Sequence, residues 1–377
     1  MSPVPVRVSR PPDLPPLDVA ARLDRLRASL GAAGVPGLLV THRPNVRYLT
    51  GFTGSAGMLL VPTDADAVLV TDGRYAEQAT GQVREAGVPA EIEVAATQVD
   101  QHRLLAGAAH GLGRLGLEAH AVTWAVQRAL SERLAPVEIV PTEGLVEALR
   151  RVKDAGEVAR IRAACAVADE ALAEVLPVLA ERPTEAELAL ALEVAMRRRG
   201  ASGPSFETIV ASGPNGSRPH ARPSDRVVGP AELVVIDFGC VVDGYCSDCT
   251  RTVSVGDPGD DARRFHRVVL EAQRAGREAV RAGAECAAID RAARSVIEAA
   301  GLGEAFPHST GHGLGLEVHE APRLASTSRD TVAAGSVVTV EPGVYLPGTG
   351  GVRIEDTVAV TDEGAEPLTA SPKDLVL

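Results

Sequence analysis

The chain has 377 residues, 45% of them apolar, and a formal net charge of −12. This length accommodates two domains, and this apolar content excludes wholesale disorder. An acidic chain without a long basic run is a poor candidate for binding nucleic acid or an anionic membrane, and no apolar stretch reaches the ~18 residues of a membrane span. Nothing at the start has the basic-then-apolar pattern of a secretion signal, and five scattered cysteines form no disulfide framework. We therefore expect a cytoplasmic protein.

The first part of the chain alternates between helical and strand patterns. Residues 1–16 are rich in proline and are predicted to be a flexible arm. Leucines at helical spacing then predict a helix that Asp18 caps and Gly31 ends. Short apolar runs between Pro, Gly and Asp predict strands at 37–40, 58–61 and 67–71. We expect a small α/β domain over 17–150, with the domain boundary inside 149–158.

The second part repeats one order of elements. Helical patterns at 155–180 and 184–200 precede a strand-rich region at 204–254, and helical patterns at 260–282 and 285–300 precede another at 306–361. This order predicts an α+β domain over 151–377, whose two pseudo-symmetric halves face each other across a cleft. Thr184 and Glu187 predict a capping box, and Gly200 a helix stop. His266, in a charged helical segment, is expected at the surface.

Asp237 and Asp248 lie on the two arms of a predicted hairpin. Asp243-Gly244 between two β-rich runs is a strong hairpin signal. A two-residue turn makes Asp237 and Asp248 diagonal neighbours on one face of the ladder. Two carboxylates held close on buried strands repel each other unless a cation or a proton lies between them. Solvated edge or turn aspartates are the alternative, but the apolar residues around Asp237 count against it.

Three further segments contain candidate site residues. His308, His312 and His319 fall within twelve residues among glycines, which favours a site because neutral imidazole is a common metal ligand. Glu341 ends an apolar strand before Pro-Gly, and taken alone it is more simply a solvated strand-end carboxylate. Arg353 and Glu355 share one face of a strand by alternation, so they form either a surface salt bridge or a pair that projects into the cleft.

If four carboxylates and one imidazole converge, they can neutralise two divalent cations. Mostly oxygen ligands with one nitrogen favour Mn²⁺, Co²⁺ or Fe²⁺ over a sulfur-rich zinc site. Two such ions lower the pKa of a shared water and polarise a carbonyl, which is the chemistry of a hydrolase.

The motifs DFG, GY.SD.TRT, HSTGHGLGLEVHE, VEPG and GVRIED resemble those of the pita-bread metallopeptidases. That family comprises methionine aminopeptidase, aminopeptidase P, prolidase and creatinase. The resemblance covers residues 155–370 and implies a pita-bread catalytic domain with a dinuclear metal centre. The implied ligands of two divalent ions, Mn²⁺ before Co²⁺, Zn²⁺ or Fe²⁺, are Asp237, Asp248, His312, Glu341 and Glu355. All five positions are intact, which disfavours metal-free creatinase and catalytically dead binding modules.

The segment from Phe206 to His220 resembles the proline-specific branch of the family, and the first part of the chain resembles a creatinase-type N-terminal domain. By this resemblance His220 lines the substrate site, and His308 and His319 are additional active-site histidines. His319 is implied to contact the scissile peptide or move protons, and Glu341 also to accept a proton from the attacking water. Tyr345 and Arg353 are implied to contact the substrate and the metal ligands.

The resemblance implies an Xaa-Pro aminopeptidase, a homodimer that removes the residue before proline. Prolidase, which cleaves Xaa-Pro dipeptides, is the alternative. Two features are expected to separate the activities. One is how the N-terminal domain closes the cleft, and the other is whether a cation awaits a free substrate carboxylate, with Arg74 or Arg353 as candidates. A methionine aminopeptidase would have no separate N-terminal domain, and a non-catalytic peptide-binding module would have damaged ligands.

Overall fold

The computed structural model describes residues 13–377, which divide into a first unit, Pro16–Arg150, and a second unit that comprises Arg151–Leu377 with residues 13–15. Most of the predicted arm, residues 1–12, lies outside the described part of the chain. Within residues 13–377 no helix is long and apolar enough to cross a membrane.

The first unit is a mixed sheet of six strands with helices between them. Its helices are α1 (Arg22–Ala33), α2 (Arg43–Thr50), α3 (Ala76–Glu85), α4 (Gln98–Ala108), α5 (Trp124–Arg133) and α6 (Leu145–Arg150). Its strands are β1 (Gly37–Val40), β2 (Gly57–Pro62), β3 (Ala67–Thr71), β4 (Ala90–Val94), β5 (Arg114–Glu118) and β6 (Glu138–Thr142). The strand order is β4-β3-β2-β1-β5-β6, and the three early strands fall where the apolar runs predict them.

Helix α1 forms where the leucine spacing predicts it, but both predicted ends are wrong. Leu23, Leu26 and Leu30 are fully buried, so the apolar stripe faces the core. The helix is not capped by Asp18, and it continues past Gly31 to Gly34, whose φ of 69° ends it. A glycine that can adopt positive φ is the usual residue at this position, and here the second of two glycines adopts it.

The second unit contains two helix pairs, each followed by a sheet. Its helices are α7 (Ala155–Val175), α8 (Glu185–Arg198), α9 (Asp260–Ala279) and α10 (Cys286–Ala299). The strands after α8 are β7 (Gly203–Pro204), β8 (Ile209–Ser212), β9 (Val234–Phe238), β10 (Cys240–Val242), β11 (Tyr245–Cys246) and β12 (Cys249–Val253). The strands after α10 are β13 (Gly311–Gly313), β14 (Glu320–Leu324), β15 (Val337–Val340), β16 (Gly343–Leu346), β17 (Gly350–Arg353), β18 (Asp356–Val360) and β19 (Ala365–Pro367).

The candidate metal ligands lie on or beside two sheets, β12-β9-β8 and β14-β13-β15-β18-β19, while Tyr345 and Arg353 lie on a third, β16-β17. The capping box of Thr184 and Glu187 is confirmed at the start of α8. A second one, formed by Asp154 and Glu157, begins α7 and was not predicted. Local hydrogen bonds at helix starts therefore fix where both helices of the first pair begin.

The hairpin around Asp243-Gly244 has the predicted register. Val242 pairs with Tyr245, and further along the arms Asp237 pairs with Thr250. Asp243 and Gly244 both have positive φ, 42° and 76°, as a two-residue hairpin turn requires. This register places Asp248 two positions from Thr250, so the predicted diagonal relation to Asp237 is confirmed.

The expectation for His266 is wrong. It is 5% exposed on the inner face of α9, and burial lowers its pKa to about 4. Its segment is strongly charged, but position 266 lies on the helix face that packs against the core. All five cysteines are buried and free, consistent with the absence of a disulfide framework.

Candidate metal and substrate site

A cavity of about 740 Å³ lies within the second unit, between its two strand regions. Nine predicted site residues line it: His220, Asp237, Asp248, His308, His312, His319, Glu341, Arg353 and Glu355. Tyr345 is not a lining residue, but its hydroxyl contacts two of them, His308 and Arg353. The topology therefore brings together side chains that are more than 100 residues apart in sequence.

The candidate ligands lie at strand ends or beside strands, where side chains can face a cavity. Asp237 is on β9 and Asp248 directly precedes β12. His312 is the middle residue of β13, Glu341 directly follows β15, and Glu355 lies between β17 and β18. Each half of the unit thus contributes carboxylates to one space.

His312 contacts two of the carboxylates. Its Nε2 is 3.2 Å from Glu341 Oε1 and 3.6 Å from Asp248 Oδ2. Its Nδ1 is 2.9 Å from the Gly313 carbonyl oxygen, which places a proton on Nδ1. A backbone partner of this kind fixes the ring and directs Nε2 at the carboxylates, as in metal-ligating histidines.

The other ligand candidates are oriented by neighbouring side chains. Arg353 Nη2 donates to Asp237 Oδ2 at 2.5 Å, and Thr250 Oγ1 donates to Glu355 Oε2 at 2.7 Å. Thr339 Oγ1 donates to Glu341 Oε1 at 3.1 Å. The two threonines were not predicted as site residues, although Thr250 stands inside the TRT motif.

Without bound cations, the cluster has more negative than positive charge. Four carboxylates face one arginine and one imidazole. Burial, together with the neighbouring acids, raises the pKa of Asp248 and of Glu355 well above the usual range. Burial opposes ionisation of Glu341 too, but hydrogen bonding to His312 lowers its pKa to about 2. Burial would lower the pKa of His312, but Glu341 raises it.

Two oxygens of the cluster fit a bound cation. Asp237 Oδ1 and Glu355 Oε1 are buried and have no hydrogen-bond partner among residues 13–377. A buried carboxylate oxygen without a partner is costly unless a cation lies beside it. The ligand atoms of Asp248, His312 and Glu355 also lie within 4.8 Å of one another. Oxygen donors with one imidazole suit divalent transition ions.

A hydrogen-bonded chain lies behind the cluster. Arg353 Nη1 donates to the Tyr345 hydroxyl at 2.7 Å, and this hydroxyl is 2.9 Å from His308 Nε2. His308 Nδ1 is 2.9 Å from the Ser309 carbonyl oxygen, so Nδ1 carries the proton and Nε2 accepts from the tyrosine. Burial lowers the pKa of His308 and raises that of Tyr345 to about 12. Both groups are therefore neutral at pH 7.

His220 and His319 lie at the exposed edge of the cavity. The His319 ring is 4.4 Å from that of His312, and desolvation, followed by the neighbouring His312, lowers its pKa. Both imidazoles can reach a molecule in the cavity.

Three residues of this region, Lys153, Glu320 and Arg323, were not predicted from the sequence as site residues. Lys153 Nζ is 3.1 Å from Glu320 Oε2, with side-chain exposures of 1% and 7%, and Glu320 lines the cavity. Lys153 and Lys373 are the only lysines of the chain. Because arginine supplies every other charged basic side chain, Lys153 stands out in the sequence, although Lys373 does so equally and pairs with Asp356 instead. The third missed residue, Arg323, lines the cavity and is exposed.

The fold and the site together define a dinuclear metallopeptidase with a pita-bread catalytic domain and a creatinase-type N-terminal domain. Residues 159–362 match the model of metallopeptidase family M24, and residues 22–152 match that of the creatinase/prolidase N-terminal domain. The chain belongs to metallopeptidase family M24 and is a metallo-exopeptidase of its Xaa-Pro group.

Some of the similar proteins are named as Xaa-Pro dipeptidases and others as Xaa-Pro aminopeptidases. The chain is 34% identical to an Xaa-Pro dipeptidase of Pyrococcus horikoshii, over 91% of this chain and 95% of that one. It matches the structure of an Xaa-Pro dipeptidase from Bacillus anthracis with a TM-score of 0.90 and 42% identity, over 94% and 99% of the two chains. An X-Pro aminopeptidase from Thermotoga maritima matches with a TM-score of 0.84 and 35% identity, over 93% and 100%.

Proposed function

We propose that this protein is an Xaa-Pro dipeptidase that hydrolyses the bond before a C-terminal proline. The similarity to proteins named Xaa-Pro dipeptidase supports the alternative reading of the sequence over aminopeptidase P. The observation that carries the proposal is a cation at the cavity edge, Arg323, which is available for the carboxylate of a dipeptide.

Neither arginine named from the sequence suits that role. Arg74 is paired with Asp72 at 2.7 Å in the first unit, and Arg353 is 3% exposed and bound to Asp237. Of the other two arginines at the cavity, Arg222 pairs with Glu207 at 3.3 Å. Arg323 instead contacts the Ser309 hydroxyl at 3.3 Å, and within residues 13–377 no carboxylate forms an ion pair with it. An exposed guanidinium without an acidic partner can bind a carboxylate in a bidentate manner.

Asp237, Asp248, His312, Glu341 and Glu355 would hold two divalent ions, and we propose Mn²⁺ because four of the five ligands are carboxylates. When bound, such a pair supplies a hydroxide at neutral pH and polarises the scissile carbonyl.

The remaining side chains position the substrate and move protons. Glu341 accepts the proton of the attacking water on its carboxylate. The Arg353–Tyr345–His308 chain holds His308 neutral, with its ring fixed at the cavity wall. His319 and His220 contact the substrate at the exposed edge. His319 relays the proton that Glu341 has taken from the water to the departing proline nitrogen, so that each residue ends in its starting protonation state.

Xaa-Pro aminopeptidase remains the second candidate because the Thermotoga maritima structure is named for that activity. The two candidates differ in the group that the substrate carries after its proline. A dipeptide ends there in a free carboxylate, whereas a longer peptide has no carboxylate at the position that Arg323 would bind.

We further propose that the protein is a cytoplasmic homodimer, as the resemblance to this branch of the family implies.

The test uses protein stripped of metal and reloaded with Mn²⁺, offered an Xaa-Pro dipeptide and an Xaa-Pro-Xaa-Xaa tetrapeptide, with the released amino acid quantified. Arg323→Ala is compared with Arg329→Ala, a nearby exposed arginine that does not line the cavity. We expect cleavage of the dipeptide and a KM for it raised at least tenfold by the first substitution alone. Cleavage of the tetrapeptide at the bond before proline, insensitive to Arg323, would establish the aminopeptidase. If neither peptide is cleaved although two ions are bound, the protein is a peptide-binding module and not a peptidase.

A further inference from the structure

A second group of metal-ligating side chains lies in the first unit. His42 directly precedes α2, His120 lies in the turn after β5, and Glu147 is in α6. Their ligand atoms all lie within 4.8 Å of one another. The three residues come from separate elements and are up to 105 positions apart, so helix periodicity does not account for their meeting.

The distances between the ligand atoms are close to those of a tetrahedral zinc site. Glu147 Oε1 is 3.1 Å from His120 Nε2 and 4.0 Å from His42 Nδ1. With metal–ligand bonds of about 2.05 Å, adjacent ligands of a tetrahedron are roughly 3.4 Å apart. Small shifts of the Glu147 carboxylate bring both pairs to that spacing. The two imidazole rings are edge to face, with centroids 5.6 Å apart, so they do not stack against each other.

Side chains behind the three residues hold Glu147 and His42 in place. Asn45 Nδ2 donates to Glu147 Oε1 at 2.5 Å and to Glu118 Oε1 at 2.6 Å. Arg150 Nη1 donates to Asn45 Oδ1 at 2.7 Å. Glu118 Oε2 accepts from the backbone N–H groups of Thr41 and His42, at 2.7 and 2.8 Å. Hydrogen bonds of this kind orient metal ligands. Because Glu118 is occupied by these backbone and side-chain donors, Glu147 is the carboxylate that faces the two imidazoles.

The donor set selects the ion. Two imidazole nitrogens with one carboxylate oxygen suit Zn²⁺, whereas Mg²⁺ and Ca²⁺ require oxygen ligands. The chain has no cysteine before residue 165, so no thiolate competes for the ion in this unit. The side-chain exposures are 24% for His42, 27% for Glu147 and 42% for His120, so solvent reaches the site.

We propose that His42, His120 and Glu147 bind a zinc ion in the N-terminal domain, separate from the dinuclear centre of the second unit. Water takes the fourth position on the exposed side. The bound ion cross-links the start of α2, the turn after β5 and helix α6, and so stabilises the first unit.

The experiment measures zinc per chain by mass spectrometry after dialysis of the full-length protein against Zn²⁺ and removal of loose metal. The variants are His120→Ala and Glu147→Gln, with His110→Ala, a single exposed histidine of the same unit, as the matched control. Each is also made in a Glu355→Gln background, in which the dinuclear centre is disabled, so the remaining zinc reports on the first unit.

We expect one zinc ion per chain to remain in Glu355→Gln and in its His110→Ala derivative, and to be lost in the His120→Ala and Glu147→Gln derivatives. With Glu355 intact, His120→Ala should keep full peptidase activity and its circular dichroism spectrum, while Zn²⁺ no longer raises the Tm of the first unit. Equal zinc content in the His120→Ala, Glu147→Gln and His110→Ala derivatives would overturn the proposal, and so would the absence of this zinc ion from the Glu355→Gln protein.

Discussion

Glu355 and Asp356 are adjacent in sequence and are both buried acids, yet their surroundings are opposite. Glu355 faces the cavity among three other carboxylates, and burial raises its pKa well above the usual range. Asp356 faces a group of cations. Burial would raise its pKa too, but Arg251 and Lys373 lower it. Burial depth alone therefore does not distinguish a functional acid from a structural one, whereas an uncompensated negative charge does.

The contacts of Asp356 explain why its carboxylate is stable in the ionised form. Arg251 Nη2 lies 3.0 Å from Oδ1, and Lys373 Nζ lies 2.9 Å from Oδ2. Gln273 and Thr369 donate two further hydrogen bonds. Glu355 has one such bond, from Thr250, and one buried oxygen without a partner in the described chain. The Asp356 cluster is neutralised by protein cations, whereas the Glu355 cluster has an excess of negative charge that bound metal ions would balance.

Neutralising each acid separately should have opposite effects on metal binding and on stability. Glu355→Gln should abolish metal binding at the dinuclear centre of the second unit. It should reduce activity by more than about 100-fold, because loss of a residue that only orients a metal ligand already costs roughly 10–100-fold. It should not destabilise the metal-free protein, because the raised pKa of Glu355 already favours the neutral carboxyl there, and the amide is a neutral group of the same size. Asp356→Asn should cost about 3–5 kcal/mol, since it leaves buried cations uncompensated, and should spare the metal in the protein that folds. Urea unfolding and metal analysis of both variants check this. Equal stability losses would contradict the distinction.

Chelation should produce a pH dependence that the metal-loaded enzyme lacks. The folded-state pKa values of Asp248 and Glu355 are raised, so their stability contribution is full below the ordinary carboxyl range and is lost as pH rises through the folded values. The low pKa of Glu341 acts only at more acidic pH. We therefore expect the difference in unfolding free energy between loaded and metal-free protein to grow as pH rises from 5 to 8. A constant difference would show that the cluster does not take up protons.

His266 provides a buried ionisable group with no hydrogen-bond partner for its Nε2 in the described chain. Its pKa of about 4 lies below that of unfolded histidine, so the unfolded state binds more protons at mildly acidic pH. Lowering the pH from 7 to 5 should cost about 2 kcal/mol at this residue. His266→Phe should remove that part of the acid sensitivity, as measured by urea unfolding at both pH values. His110→Ala is the surface control and should leave it unchanged.

Lys373 is the more exposed of the two cations that contact Asp356 most closely. Lys373→Ala removes one cation, but Arg251 still pairs with Asp356, so the loss should be about 1 kcal/mol. Activity and metal content should be unchanged, and thermal unfolding provides the measurement. A loss as large as that of Asp356→Asn would mean that Arg251 does not compensate the charge.

Local patterns predicted much of the fold because their causes are local. The positive-φ turn at Asp243-Gly244 set the register that relates Asp237 to Asp248, and the capping box set the start of α8. The pattern could not place the end of α1, since Gly31 and Gly34 both permit termination and only Gly34 adopts positive φ. His266 was misplaced because the charge of a segment does not state which of its positions face the core.

By itself the sequence determined the family motifs, the elements that contain them and the residue types at the cavity. Tertiary structure decided which acids are compensated. It placed Lys153 on Glu320, Arg251 on Asp356 and Arg323 at the cavity edge, through pairs of side chains that are mostly far apart in sequence. The free energy of a charged side chain depends on its solvation and on the charges around it, and for a buried residue the fold determines both.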